Sequence, residues 1–250
     1  EALGDQAFYG CINLPEAVLP ATLNSMGEGC FENCTVLKKV VLNGTITGIS
    51  RYCFYGCSAL KDVIVQDTLT ENASLRVIGV QAFGACINLE SVDFSEQKSL
   101  TVMGEGTFYG CTALATVKLP ENLTKIPDYC FENCKNLSIL QMKTDQVIQP
   151  GEKIFGEKEE FPAFLHIWVK DGMTEAYQNV YAPVLDPVYG EGTTANILGV
   201  INDKQEIIRG VLFEVTDEGR VLEKASTDLS GEYVLPEGTV RIADEVFEGC

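Results

Sequence analysis

The feature that most limits what this chain can become is a phenylalanine followed three residues later by a cysteine, and it recurs along the sequence. The pairs are Phe8/Cys11, Phe31/Cys34, Phe54/Cys57, Phe83/Cys86, Phe108/Cys111, Phe131/Cys134 and Phe247/Cys250, and the first six stand 23, 23, 29, 25 and 23 residues apart. Other slots keep the same step. Leu14, Leu37, Leu60, Leu89, Leu114 and Leu137 lie three residues after the first six cysteines, and Ala17, Val40, Val63, Val92, Val117 and Leu140 three beyond those. Each Phe is preceded at five residues by Leu3, Met26, Ile49, Ile78, Met103, Ile126 or Ile242.

A unit of roughly 23 residues cannot close a core alone, so neighbouring units must stack. Within each unit the spacing L-x-x-V-x-L turns alternate side chains of a short strand inward. The pattern predicts a solenoid with short parallel strands on one face. The F-x-x-C segments turn the corner on the other face and insert each Phe between coils. The surplus residues of the longer repeats, 66–72 and 96–98, are expected as surface loops.

The position just before the Phe holds Ala7, Cys30, Cys53, Ala82, Thr107, Cys130 and Val246. A metal ligand or a bridged cysteine cannot be exchanged for Ala in the next coil, whereas a small buried residue can, and a free cysteine behaves as a small hydrophobe. The cysteines are therefore read as core packing, with no metal or cofactor expected. Two alternatives stand beside that reading. Zinc held by Cys30, Cys34, Cys53 and Cys57 would lack the usual C-x-x-C knuckles; disulfides are the other alternative, whereas ten thiols mostly free would suggest a reducing compartment or an anaerobic habitat.

The stretches "IGVQAFGACINLESVDF" at 78–94 and "TFYGCTALATVKLPENLTKI" at 107–126 resemble the BspA-like leucine-rich repeat, a bacterial variant of the leucine-rich class. The likeness covers residues 1–142, and "YVLPEGTVRIADEVFEGC" repeats it at the C-terminal end. The fold it implies is an α/β-type leucine-rich-repeat solenoid, capped by a strand and helix, then a β-hairpin and the start of a second repeat block. The resemblance also implies a secreted or cell-surface protein that binds other macromolecules, often in adhesion. Since the sequence starts and stops inside repeats, a slice of a longer protein is expected.

Between the repeat blocks, Phe155 lies 24 residues after Phe131 and takes the next Phe slot. Phe161 is expected to replace the repeat cysteine, and Phe164, Ile167 and Val169 to fill the strand pattern. "DGMTEAYQNVY" predicts a short capping helix with Thr174 at its N-cap, ended by Pro183. The organisation expected is a capped solenoid over 1–185, a linker over 186–196, and over 197–250 a hairpin around Asp217, Glu218 and Gly219 followed by renewed repeats.

Function on such a scaffold lies on surfaces. With 46% apolar and 22% charged residues the chain forms a buried core. No apolar run reaches membrane-spanning length and no secretion signal is visible. The 18 basic and 36 acidic residues give a net charge of -18, which argues against nucleic acid as a partner.

Two slots per strand face outward. The first holds Glu16, Lys39, Asp62, Ser91, Thr116, Ile139 and His166; the second holds Val18, Val41, Ile64, Asp93, Lys118, Gln141 and Trp168. Val18, Val41 and Ile64 are expected as one apolar row, with the sole histidine and sole tryptophan at the far end, together forming a contact surface for a protein, matrix or glycan ligand. The plainer reading is that β-branched residues favour strands and that the cap helix covers Trp168.

Other features carry less. Tyr9, Tyr55 and Tyr109 fill an exposed slot beside the Phe, and the run "GEKEE" at 156–160 lacks the spaced oxygen ligands of a calcium cage. One histidine and no G-x-S-x-G, H-E-x-x-H or phosphate-loop pattern argue against an enzyme. A structural spacer, or less favourably a carboxylate-based glycoside hydrolase, are the competing functions.

Overall fold

The computed structural model describes residues 1–43, 45–66, 75–202, 204–208, 211–225 and 235–243. Residues 67–72 of the first expected loop, the stretch 233–234, Val246, Phe247 and Cys250 lie outside them.

Seven strands form the wide face: β1 (Glu16–Val18), β2 (Lys39–Asn43), β3 (Asp62–Gln66), β4 (Ser91–Asp93), β5 (Thr116–Lys118), β6 (Ile139–Met142) and β7 (His166–Lys170). All neighbours are parallel. The register aligns Ala17, Val40 and Val63 in one sheet and Val92, Val117, Leu140 and Ile167 in a second. The division between sheets falls between β3 and β4, at the 29-residue step of the repeat.

A second ladder was not legible as strand. The apolar residue five before each Phe closes a two-residue strand: Ala2–Leu3, Ser25–Met26, Gly48–Ile49, Val77–Ile78, Val102–Met103, Lys125–Ile126 and Gln149–Pro150. These pair in parallel in three separate groups: Leu3 with Met26, Ile49 with Ile78 and on to Met103, and Ile126 with Pro150. Each coil thus has two strand sides and one turn side. The Phe sits on the turn side.

There the rings of Phe8, Phe31, Phe54, Phe83, Phe108, Phe131 and Phe155 stack with centroids 4.9 to 6.0 Å apart and planes within 20°. From Phe31 to Phe155 they are buried. The backbone explains the stack. Left-handed residues flank the Phe at minus two and plus two, as Gly29 and Asn33 do around Phe31 and Tyr129 and Asn133 around Phe131. That alternation aims every second amide along the solenoid axis, so Phe31 N donates to Cys53 O at 2.8 Å and Asn33 N to Tyr55 O at 2.7 Å. Glycine suits these slots, and Asn tolerates them.

The seventh coil departs from the expected alignment. In the regular coils the leucine amide donates to the cysteine carbonyl, as Leu37 does to Cys34; here Leu165 donates to Pro162, so Pro162 holds the cysteine place and Leu165 the leucine place. Leu165 is buried and Phe164 is 57% exposed. The strand then follows one residue sooner than in other coils. Phe161 packs edge-on against Phe155 at 5.5 Å and lies 4.6 Å from the Tyr189 ring, outside the thiol column.

The cap helix is also longer than expected. Helix α1 runs Thr174–Tyr189 with Met173, not Thr174, at its N-cap, and it passes through Pro183 and Pro187. Both prolines lie on the exposed side, where water can satisfy the carbonyl each leaves without a donor. Tyr177, Tyr181, Leu185 and Tyr189, spaced by four, form the buried stripe.

The stretch 186–196, expected as a linker, holds the end of α1 and most of helix α2 (Thr193–Ile197). Asp186 ties the two together by accepting from Gly192 N, Thr194 N and Thr194 Oγ1. Burial pulls the Asp186 carboxyl upward, but those hydrogen bonds prevail and hold it below the usual carboxylate range. Strand β8 (Leu198–Ile201) then joins β7 in parallel and extends the wide sheet.

Beyond it, β9 (Gln205–Ile208), β10 (Val211–Thr216) and β11 (Gly219–Ala225) pair antiparallel, with the expected hairpin closing over Asp217 and Glu218. β12 (Thr239–Ile242) adds to β11 in parallel.

Candidate binding face

The described cysteines are free thiols, and all but Cys11 are fully buried. They do more than fill space. From the second coil onward the Sγ of the F-x-x-C position donates to the Phe carbonyl of the preceding coil: Cys34 to Phe8 at 3.0 Å, Cys57 to Phe31 at 3.1 Å, Cys86 to Phe54 at 3.2 Å, Cys111 to Phe83 at 3.0 Å and Cys134 to Phe108 at 3.1 Å. That carbonyl already accepts the cysteine amide of its own coil, so the thiol uses its second lone pair. Burial pushes the Cys111 thiol up to about 12 and the Cys30 thiol to about 11. Among the described residues no three His, Cys, Asp or Glu side chains converge to hold a metal ion.

The outward slots are in register as expected, since Val18 pairs with Val41 and Val41 with Ile64. Their exposure is unequal. Val18 is 65% exposed, Ile64 is half-buried, and Val41 is only 6% exposed, closed in by its neighbours on both sides. Beside them run Glu16, Lys39 and Asp62, of alternating charge. In the next sheet Lys118 and Asp93 form an ion pair at 2.9 Å. Burial pulls the Asp93 carboxyl upward, yet the hydrogen bonds from Ser95 and Lys118 outweigh it and hold the group low.

At the far end His166 is exposed, and its ring stacks on Trp168 with centroids 6.2 Å apart. Trp168 is half-buried. Its ring lies over Gly199 of β8, where a Cβ would come within 3.0 Å of ring carbon Cε3. It belongs to a small apolar group apart from the main core, in which Trp168 and Leu212 of β10 pack against the buried pair Ile139 and Ile201. Lys143 Nζ also reaches the Gln205 carbonyl at 3.4 Å.

The structure thus separates the five proposed contact residues into Val18, Val41 and Ile64 at one end of the wide face and His166 and Trp168 at the other. Ile139 and Gln141 were placed in outward slots but not in the contact surface, and the packing of Ile201 and Leu212 beside Trp168 was not foreseen. One signal was present: Ile139 is apolar in a slot that Glu, Lys, Asp, Ser and Thr fill in earlier coils. As to carboxylates, Glu132 is pushed up by burial and by Glu160 and Glu157, and these surround Gly156 on the turn side, away from the strand face.

The stacked coils, the thiol column and the in-register strand ladder coincide with a match to the model described as BspA type leucine rich repeat region, in six copies over residues 1–74 and 67–163. The chain belongs to this family. A leucine-rich repeat protein of T. pallidum has a similar structure, at 30% identity and TM-score 0.57, over 66% of this chain and 72% of that one. One from Bacteroides ovatus aligns at 22% identity and TM-score 0.45, over 100% and 68%. A leucine rich cell surface protein of Faecalibacterium prausnitzii aligns at 20% identity and TM-score 0.44, over 95% and 62%. Comparison with curated proteins gives no match. No helix among the described residues is long and apolar enough to cross a membrane.

Proposed function

We propose that this BspA-type repeat protein is a non-enzymatic binding module of a surface or secreted protein, and that it engages an extracellular protein or matrix ligand through the wide strand face. The observation that carries this reading is the in-register pairing that sets Val18 and Ile64 on either side of the closed-in Val41, beside the alternating charges of Glu16, Lys39 and Asp62. An apolar row bordered by mixed charge offers a desolvated centre and an orienting rim. Immobilised matrix proteins and glycans, probed with wild type and with Val18→Asp plus Ile64→Asp, test it. Capture by the wild type and its loss in the folded variant are expected. Equal capture by both would remove this row from the interface, and no capture by either would favour the spacer role.

A further inference from the structure

On the turn side, the second and third coils hold a guanidinium, and it is the chain's own. Arg51 Cζ lies 4.9 Å from the centre of the Tyr52 ring, and Arg51 Nε pairs with Glu28 of the preceding coil at 3.3 Å. Tyr55 meets the Tyr52 ring edge-on at 5.6 Å. Tyr52 is left-handed, with φ of 54°, a conformation that a bulky side chain adopts only at a cost. The same backbone recurs in the fifth and sixth coils. Gly106 N donates to Asp128 O at 3.0 Å, as Gly29 N does to Arg51 O at 3.0 Å, and Tyr129 has φ of 56°. Glu105 therefore takes the place of Glu28 and Tyr129 that of Tyr52, but Asp128 stands in the place of Arg51. The second unit has the carboxylate and the ring without an arginine of its own. Asp128 is satisfied from within, since its Oδ1 accepts from Lys125 Nζ at 2.9 Å and from Glu152 N at 3.0 Å. Lys153 of the next coil pairs with Glu157. Glu105 is exposed and forms no ion pair among the described residues. Glu132 fills the place of Tyr55, its carboxyl pushed up by burial and by Glu160 and Glu157, so this end of the turn side carries negative charge that the chain does not neutralise.

We propose that Glu105 and Tyr129 form a receptor site for an arginine side chain of a partner protein, its guanidinium lying over the Tyr129 ring and pairing with Glu105 as Arg51 does with Tyr52 and Glu28. Arginine suits this pair better than lysine, because a planar guanidinium stacks on a ring and donates in its own plane to a carboxylate at the same time. The occupant is a basic partner rather than a second copy, since two chains each of net charge -18 repel one another. The site lies on the turn side, away from the wide strand face, and does not depend on the binding reading given above.

Titration of the whole chain with N-acetyl-arginine amide, followed by backbone amide NMR, tests this. In the wild type, shifts are expected at Gly106 and Tyr129, with N-acetyl-lysine amide giving weaker ones at the same concentration. Tyr129→Gly and Glu105→Gln should each weaken binding of the arginine probe by about three- to fivefold, read at Gly106. Glycine already fills the Tyr129 slot at 29 and 106, so the first variant keeps the backbone. Arg51→Ala removes the chain's own occupant and should extend the shifts to Gly29 and Tyr52. Shifts absent from Gly106 and Tyr129, or unchanged in both site variants, overturn the proposal. So does equal binding of the lysine probe, or an Arg51→Ala protein with no new shifts at Gly29 and Tyr52. Val18→Asp plus Ile64→Asp should leave the probe's affinity as it is, so this site and the strand-face reading fail separately.

Discussion

At the scale of single residues, the thiols set the sharpest test. If Cys111 were only filler, Ala would be accepted better than Ser, because Ser brings a hydroxyl into an apolar column. Donation to the Phe83 carbonyl at 3.0 Å reverses that order. Cys111→Ala is expected to cost about 1 to 2 kcal/mol in denaturant melts, from a small void and a lost hydrogen bond, and Cys111→Ser less. Equal or larger loss in Ser would mean the bond contributes nothing. The same burial gives a pH dependence. Folded Cys30 and Cys111 keep their protons to about 11 and about 12, against an ordinary thiol value of 9.0. Above that ordinary value the unfolded chain releases protons that the folded chain retains, so stability is fully present below pH 9 and falls as pH rises toward the folded values. The slope approaches about 1.4 kcal/mol per pH unit for each such thiol. Urea melts at pH 8 and pH 10.5 should differ in this direction, and equal midpoints would contradict the buried-thiol account.

At the scale of elements, the cap works through tyrosine hydroxyls. The last coil would otherwise leave backbone groups facing an apolar helix, and α1 answers them one by one. Tyr177 Oη donates to Gln146 O at 3.2 Å and accepts from Ile148 N at 3.2 Å; Tyr181 Oη donates to Ile148 O at 2.7 Å; Tyr189 Oη donates to Gly156 O at 2.9 Å. The hydroxyls stand in for the missing next coil. Tyr181→Phe preserves packing but strands the Ile148 carbonyl, and about 1 to 3 kcal/mol of stability should be lost in thermal or urea melts. An unchanged midpoint would mean that the hydroxyl is dispensable. The sequence predicted a helix here from Thr174 as N-cap, but its end was read from Pro183. Proline removes one amide donor and crowds the preceding turn, which a helix can survive where the freed carbonyl faces water, and exposure of that side was not readable from local sequence.

At the scale of the molecule, what was legible depended on recurrence. Phe, Cys, Leu and the strand positions repeat in type and spacing, so their columns could be inferred with no coordinates. The two-residue strands repeat only in one apolar slot, which identifies burial but not backbone pairing. The degraded seventh coil broke the count by one residue, and Phe164 was assigned inward where Leu165 lies. The approach of Leu212 to Ile139 and Ile201 joins segments far apart in sequence with no periodic signature, and nothing local announces it.

The central claim is that the coils form one continuous stack from Phe8 to Phe155 even though the wide sheet divides between β3 and β4. The turn side carries the continuity, with Phe54 and Phe83 rings 5.4 Å apart and Phe54 N donating to Ala82 O at 2.8 Å. Native-state hydrogen exchange of the Phe amides measures this directly. The amides of Phe31, Phe54, Phe83 and Phe108 are expected to share one slow, cooperative opening, with faster exchange confined to the first coil. Separate opening energies on the two sides of the Phe54–Phe83 step would show two independent blocks and contradict the account.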